Sequence, residues 1–223
     1  MEKDKVKDIT YSLTKAGLGS IPVVGAAASE LLGLIVTPPL EKRRSEWMLE
    51  VGERLKMLEE TKGILLESLK ENDTFIDIVI QTTQLANKTS EEEKIKIYQN
   101  VIFNSLENHN PELAEIQIFL HLVESFTVWH IKLLVLFDNP KKWLITNGIT
   151  PPELMMGSMF SVVDEAYPEL KPKQKFCNLI WSDLYRAGLV NTDSLSGMMS
   201  GNGIYAKRTT EFGDKFLDFI KTK

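Results

Sequence analysis

Apolar positions recur along this chain at spacings of three and four, with little alternation at two, so the pattern reads as one helix after another. A polar helix from Leu40 to about Glu60 is predicted to turn Trp47, Val51, Leu55 and Leu58 inward. A second runs from Asp73 to Ala86 with Phe75, Ile78, Val79 and Leu85. Ser90 followed by Glu91, Glu92 and Glu93 has the form of a capping box, opening a helix with Ile95, Tyr98, Val101, Ile102 and Leu106 at helical spacing. Asn110-Pro111-Glu112 places a cap, a proline and an acid at the start of a run carrying Leu113, Ile116, Leu120 and Val123. Thr127 then caps a strongly apolar helix from Val128 to Phe137.

The stretch from Ala16 to Leu40 breaks the amphipathic rhythm, since Glu30 is its one ionisable side chain. As a continuous helix its 25 residues would measure about 38 Å, enough for a bilayer core of roughly 30 Å. Gly17, Gly19 and Pro22 argue for a shorter helix from about Ile21 to Val36, closed by Thr37-Pro38-Pro39. The mixed charges of the leading MEKDKVKD and the lack of a clear cleavage site argue against a signal peptide. Gly25, Ser29 and Gly33 form a row of small residues at every fourth position, which lets two helix backbones approach closely. Lys42, Arg43 and Arg44 follow as a basic cluster suited to phospholipid headgroups. The same pattern fits a core helix of a soluble bundle with a solvated basic face. A bundle that buries this helix at rest and later releases it satisfies both readings.

From Pro140 onward the signature changes. Thr150-Pro151-Pro152-Glu153 predicts the start of a helix carrying Leu154, Met155, Met159, Phe160 and Val163, followed by a helix from about Lys173 through Arg186 and a left-handed Gly188. A Gly- and Ser-rich span from Asn191 to Gly203 comes next, then a β-prone Ile204-Tyr205-Ala206 and a last helix from Thr210 with Phe212, Phe216, Leu217 and Ile220 inward. The segments Leu184-Tyr185-Arg186-Ala187-Gly188-Leu189-Val190 and Thr210-Glu211-Phe212-Gly213-Asp214-Lys215-Phe216-Leu217 resemble the corresponding parts of a winged helix. The wing tip from Ser194 to Gly203 is uncharged and carries Met198 and Met199, soft side chains suited to an adaptable protein-binding surface. Trp181 and Tyr185 on the preceding helix are expected to extend that surface.

Charge sharpens the division. Residues 1–139 carry 15 basic and 22 acidic side chains and residues 140–223 carry 11 and 9, so the boundary is placed at Asp138-Asn139-Pro140. A net charge of −5 argues against bulk attraction to nucleic acid, and the helix ahead of the wing lacks a strong basic stripe. Cys177 is the only cysteine, which excludes an internal disulfide and points to a reducing compartment, the cytoplasm. His109, His121 and His130 fall on separate segments, and His121-x-x-Glu124 lacks the further ligands a metal site requires. Neither Gly17-Leu18-Gly19 nor Gly201-Asn202-Gly203 has the strand, glycine spacing and lysine of a phosphate loop. No catalytic residue, metal or cofactor is expected.

SIPVVGAAASELLGLIVTPPLEKRRSEW, and SFTVWHIKLLVLFDNP ahead of the winged-helix-like tail, resemble small helical bacterial proteins of the abortive-infection alpha type, in particular ring-interacting pore proteins of antiphage defence. The resemblance implies a dormant effector that recognises a phage-encoded oligomeric protein, self-associates, and moves from the cytoplasm to disrupt the inner membrane. The expectation is therefore a mainly α protein: an N-terminal helical bundle over 1–139 concealing an apolar, membrane-competent segment at 16–40, and a winged-helix-like sensor over 140–223. Gly25, Ser29, Glu30, Gly33, Lys42, Arg43 and Arg44 are the candidates for self-association and anionic lipid, and Trp181, Tyr185, Met198 and Met199 for the partner. The alternative is a cytoplasmic DNA-binding regulator whose helical N-terminal part dimerises.

Overall fold

The computed structural model describes residues 38–63, 66–106 and 112–222, and it is mainly helical with little strand. The chain divides into two compact units, one of residues 1–69 with 86–88 and one of residues 70–85 with 89–223. The boundary expected at Pro140 is not where the chain divides, because helices on both sides of it share one core within the second unit.

In the first unit, α1 (Pro38–Lys62) buries Trp47 and Val51, half-buries Leu55 and Leu58, and leaves Met48, Leu49 and Met57 exposed. Its polar surface carries the ion pairs Lys42–Glu46 and Lys56–Glu60 at i, i+4. Gly63, at φ 67°, closes the helix with its N–H on the Glu59 carbonyl. A short α2 (Leu66–Leu69) follows. The apolar expectation at 16–40 lies almost wholly outside the described residues.

The second unit begins with the Asn72 side chain accepting from the Phe75 N–H, which caps α3 (Asp73–Lys88). The cap of α4 (Glu92–Asn104) is Glu91 rather than Ser90, and no side chain bonds there; Thr89 instead accepts from the Glu91 N–H. Glu112 and Glu115 form a reciprocal box at the start of α5 (Leu113–Ser125). Thr127 opens α6 (Val128–Asp138), and α7 (Pro140–Thr146) starts with the Asn139 carboxamide accepting from the Lys142 N–H.

Leu133, Leu134, Leu136 and Phe137 of α6 are all fully buried, so the helix needs neighbours on more than one side. It finds them in α7, α9 (Gln174–Arg186) and α11 (Glu211–Ile220). Phe119 of α5 meets Phe212, Phe216 and Phe219 of α11 at ring separations of 5.1, 5.4 and 5.5 Å. The C-terminal end of α11 is held by two buried asparagines of α4. Asn104 Nδ2 donates to the carbonyls of Phe219 at 2.8 Å, Lys221 at 2.8 Å and Asp218 at 3.2 Å, and Asn100 Nδ2 donates to that of Ile220 at 3.0 Å. Among the described residues no single helix is long and apolar enough to cross a membrane; α5 and α6 together pass on composition but bend by 118°, and they bury Ile116, Phe119, Leu120 and Val123 and the α6 leucines in this core while leaving Leu113 and Ile118 exposed.

His130 joins α6 to α9. Its ring stacks on Phe126 at 4.6 Å, its Nδ1 accepts from the Thr127 N–H at 3.1 Å, and its Nε2 lies 3.5 Å from Asp183. Burial pushes its pKa below the usual histidine value and the Lys94 charge adds to this, against the pull of Asp183 in the other direction. The folded protein therefore holds the imidazole neutral where the unfolded chain already binds a proton, and stability falls as pH drops below about 6.5 toward the folded pKa. Protonating Nδ1 also removes the acceptor of the Thr127 N–H. We expect the melting temperature to fall between pH 7 and pH 5, and His130→Gln to flatten that slope; an equal slope in both proteins would place the titrating group elsewhere.

Candidate functional site

The chain between α7 and α8 (Met159–Ala166) is extended rather than helical, contrary to the helix expected from Thr150. Pro151 and Pro152 withhold two backbone donors, and the segment pairs with a distant partner instead. Met156–Gly157 forms β1 and Met199–Ser200 forms β2, antiparallel, with Met156 opposite Ser200 and Gly157 opposite Met199. Ser200 caps the short α10 (Gly201–Ile204), so Ile204 and Tyr205 end a helical turn and do not form the β segment expected there.

Several tethers hold this ribbon. The Gly201 N–H donates to the Met155 carbonyl at 3.0 Å, and a side chain at Gly201 would run into the Leu154 carbonyl, so only glycine permits the approach. Tyr205 Oη donates to the Pro152 carbonyl at 2.8 Å, and burial raises the phenol's pKa, which keeps that proton in place. Arg208 turns inward, with Nη2 on the Gly203 carbonyl at 2.6 Å and on Met199 Sδ at 3.0 Å. At the base, Val190 bridges Thr209, the Asn191 N–H donates to the Arg208 carbonyl and the Thr210 N–H to the Leu189 carbonyl, forming an antiparallel stem. The Arg208 N–H also reaches the Phe137 carbonyl at 2.9 Å, which ties the stem to the end of α6.

Alternation along an antiparallel pair puts Met156 on the face opposite Met199, and Met198, one residue before β2, on the Met156 side. Met155, Met156 and Met198 are 94%, 66% and 68% exposed, whereas Met199 is half-buried against Arg208. Beside the ribbon lies a cleft of about 690 Å³ lined by Lys141, Pro151, Pro152, Met155, Ser200 and Tyr205 among others, with Lys141 Nζ over the Tyr205 ring at 5.3 Å. Lys207 adds no free cation to this face. It pairs with Asp214 at 2.8 Å and Asp138 at 3.1 Å, and Lys221 also reaches Asp138. Burial would raise the Asp138 pKa, but these two lysines hold it below the usual carboxylate value.

Of the expected partner-binding residues, Met198 and Tyr185 are exposed and the other two are not available as drawn from the sequence. Trp181 is fully buried, edge-on to Phe137 at 4.9 Å, with Nε1 donating to the Thr192 carbonyl at 2.9 Å. It is a core residue, because it falls on the same side of α9 as Cys177, Ile180 and Leu184. Met199 is drawn inward by its strand pairing. Met155 and Met156 were hidden from sequence reasoning by the helical spacing of Leu154, Met155 and Met159; Pro151-Pro152 ahead of them and Gly157 behind were the signal of an extended segment. Lys42 and Arg44 are exposed and Arg43 half-buried on α1, while Gly25, Ser29, Glu30 and Gly33 lie outside the described residues. Among the described residues no cluster of three or more His, Cys, Asp or Glu side chains is arranged to hold a metal ion.

No protein-family model matches the chain, and neither does any curated protein or solved structure against which it was compared.

Proposed function

We propose that this protein is a latent, non-enzymatic effector of bacterial antiphage defence, in which a winged-helix-like C-terminal part senses a phage-encoded oligomeric protein and the segment 16–40 damages the inner membrane after self-association. The observation that carries the reading is the outward methionine face of the ribbon, where Met156 and Met198 stand exposed on a backbone tied down from several sides. Unbranched thioethers adapt to a partner's contour, and a fixed backbone limits what has to be ordered on binding. The order α8, α9, stem, projecting loop and α11 supports the winged-helix comparison. In this proposal Met156 and Met198 are the sensor residues, exposed Tyr185 keeps the partner-binding role the sequence suggests for it, and the buried Trp181 and half-buried Met199 drop out of the surface. Gly25, Ser29, Glu30 and Gly33, with Lys42, Arg43 and Arg44, keep the membrane and self-association role that the sequence suggests for them. The resting protein is cytoplasmic in this proposal, and no catalytic step, metal or cofactor enters it.

A DNA-binding role has less support. The two cations at the base of the projecting loop are engaged by partners within the protein, Lys207 with Asp138 and Asp214 and Arg208 with Met199 and Gly203, so the loop offers no unpaired cation to phosphate.

Met156→Asp combined with Met198→Asp tests the reading. Bringing two carboxylates into an apolar interface costs several kcal/mol, whereas both sites are exposed in the resting protein and stability should change by less than about 1 kcal/mol. We expect infected cells carrying the double variant to keep their membrane potential and to release phage, while the wild-type protein depolarises them. Depolarisation at the wild-type level by a folded variant would remove the sensor role from the ribbon.

A further inference from the structure

The start of α9 carries a second surface, unlike the methionine face in chemistry. Lys171, Lys173 and Lys175 are all exposed within five residues, on the 3₁₀ turn Pro168–Lys173 and the first turn of the helix, in a chain whose net charge is −5. Glu169 is the one acid in the same segment, and none of the three lysines forms a salt bridge within the described residues. Cys177, Ile180, Trp181 and Leu184 face the core, so the helix turns Lys175, Leu179 and Arg186 outward, with Ser182 half-buried between the last two. Leu179 is 58% exposed, and Phe176 borders it.

We infer that this surface adsorbs to an anionic lipid bilayer, the lysines meeting the headgroups and Leu179 with Phe176 entering the boundary of the acyl region. Lysine on a flexible stem suits a membrane interface, where the stem stays in apolar surroundings and the ammonium reaches water and phosphate. The same residue type is depleted at protein–protein interfaces, which favour Tyr, Trp, Met and Arg. Double-stranded DNA fits less well, because Leu179 stands in the middle of the outward face, Arg186 is paired with Asp183 at 3.5 Å, and the projecting loop has no free cation to reach a second phosphate. This inference stands on the lysine cluster rather than on the proposed function, and it describes peripheral, salt-reversible adsorption by which the resting cytoplasmic protein exchanges with the membrane face without spanning it. Its readout is vesicle-bound protein rather than killing during infection, so the two fail on different measurements.

The test is flotation of the full-length protein with vesicles of phosphatidylcholine alone or of phosphatidylcholine mixed with phosphatidylglycerol. Binding is expected to the mixed vesicles only, and to weaken as salt rises. Lys171→Glu, Lys173→Glu and Lys175→Glu together should weaken it by at least about a hundredfold. Leu179→Ser should weaken it by several-fold and leave the salt dependence unchanged. The milder triple change to Gln serves if the Glu variant fails to fold by circular dichroism. The proposal is overturned if neither vesicle binds, if the triple variant binds as the wild type does, or if binding is lost with Lys42→Glu, Arg43→Glu and Arg44→Glu instead. It is also overturned if a duplex DNA probe, and no vesicle, binds in a way that the triple variant abolishes.

Discussion

Trp181→Ala should cost about 3 to 5 kcal/mol of folding stability, the range for deleting a fully buried large aromatic side chain. The indole fills the space between α9 and Phe137 of α6, and its N–H satisfies the Thr192 carbonyl at the start of the projecting loop. The loss therefore has an apolar and a polar part, and Trp181→Phe separates them. Phenylalanine keeps a ring against Phe137 but leaves the Thr192 carbonyl without its donor, for an expected cost of about 1 to 2 kcal/mol. Urea unfolding of the three proteins measures both. A Trp181→Ala protein with wild-type stability would mean that the indole is not in the core.

The second large effect is expected at Asn104. Its single carboxamide serves the carbonyls of Asp218, Phe219 and Lys221, where a helix end leaves acceptors that no intrahelical donor can reach. Asn104→Leu keeps the approximate volume and removes every donor, at an expected cost of about 3 kcal/mol. Asn178, exposed on α9, is the matched control, and its replacement by leucine should change stability by less than about 0.5 kcal/mol. Native-state hydrogen exchange should also show α11 opening more readily in the Asn104 variant. Unchanged protection of its amides would overturn the role given to that side chain.

How well the fold could be read from sequence depended on how local each determinant is. The helix at 128–138 was legible because Thr127 caps it and its apolar run is interrupted only by His130 and Lys132 before Asp138, and the helix from Thr210 because its cap, glycine and aromatic spacing agree. Gly213 also has a tertiary reason that no periodicity reveals, since a side chain there would strike the Leu189 carbonyl. The segment at 150–157 was misread because helical spacing of Leu154, Met155 and Met159 is a local signal, whereas its strand is made by a partner more than forty residues later. Trp181 is a different case: its spacing from Cys177, Ile180 and Leu184 already puts it in the buried stripe of α9, and the structure adds what no periodicity shows, the Phe137 ring and the Thr192 carbonyl that receive its indole. At the candidate site, the exposure of Met198 was legible from its uncharged, Gly- and Ser-rich setting, but the pairing that joins it to Met156 was not.

The tethers within the projecting loop have a consequence for association. The chain from Thr192 to Lys207 leaves and rejoins the core at the stem, and between those points the Gly201 N–H holds the Met155 carbonyl and the Tyr205 hydroxyl holds the Pro152 carbonyl. One long loop is thereby subdivided into several short closures, and most of its conformational entropy is lost when the protein folds. The partner proposed for Met156 and Met198 has side-chain rotamers left to restrict, and very little backbone freedom.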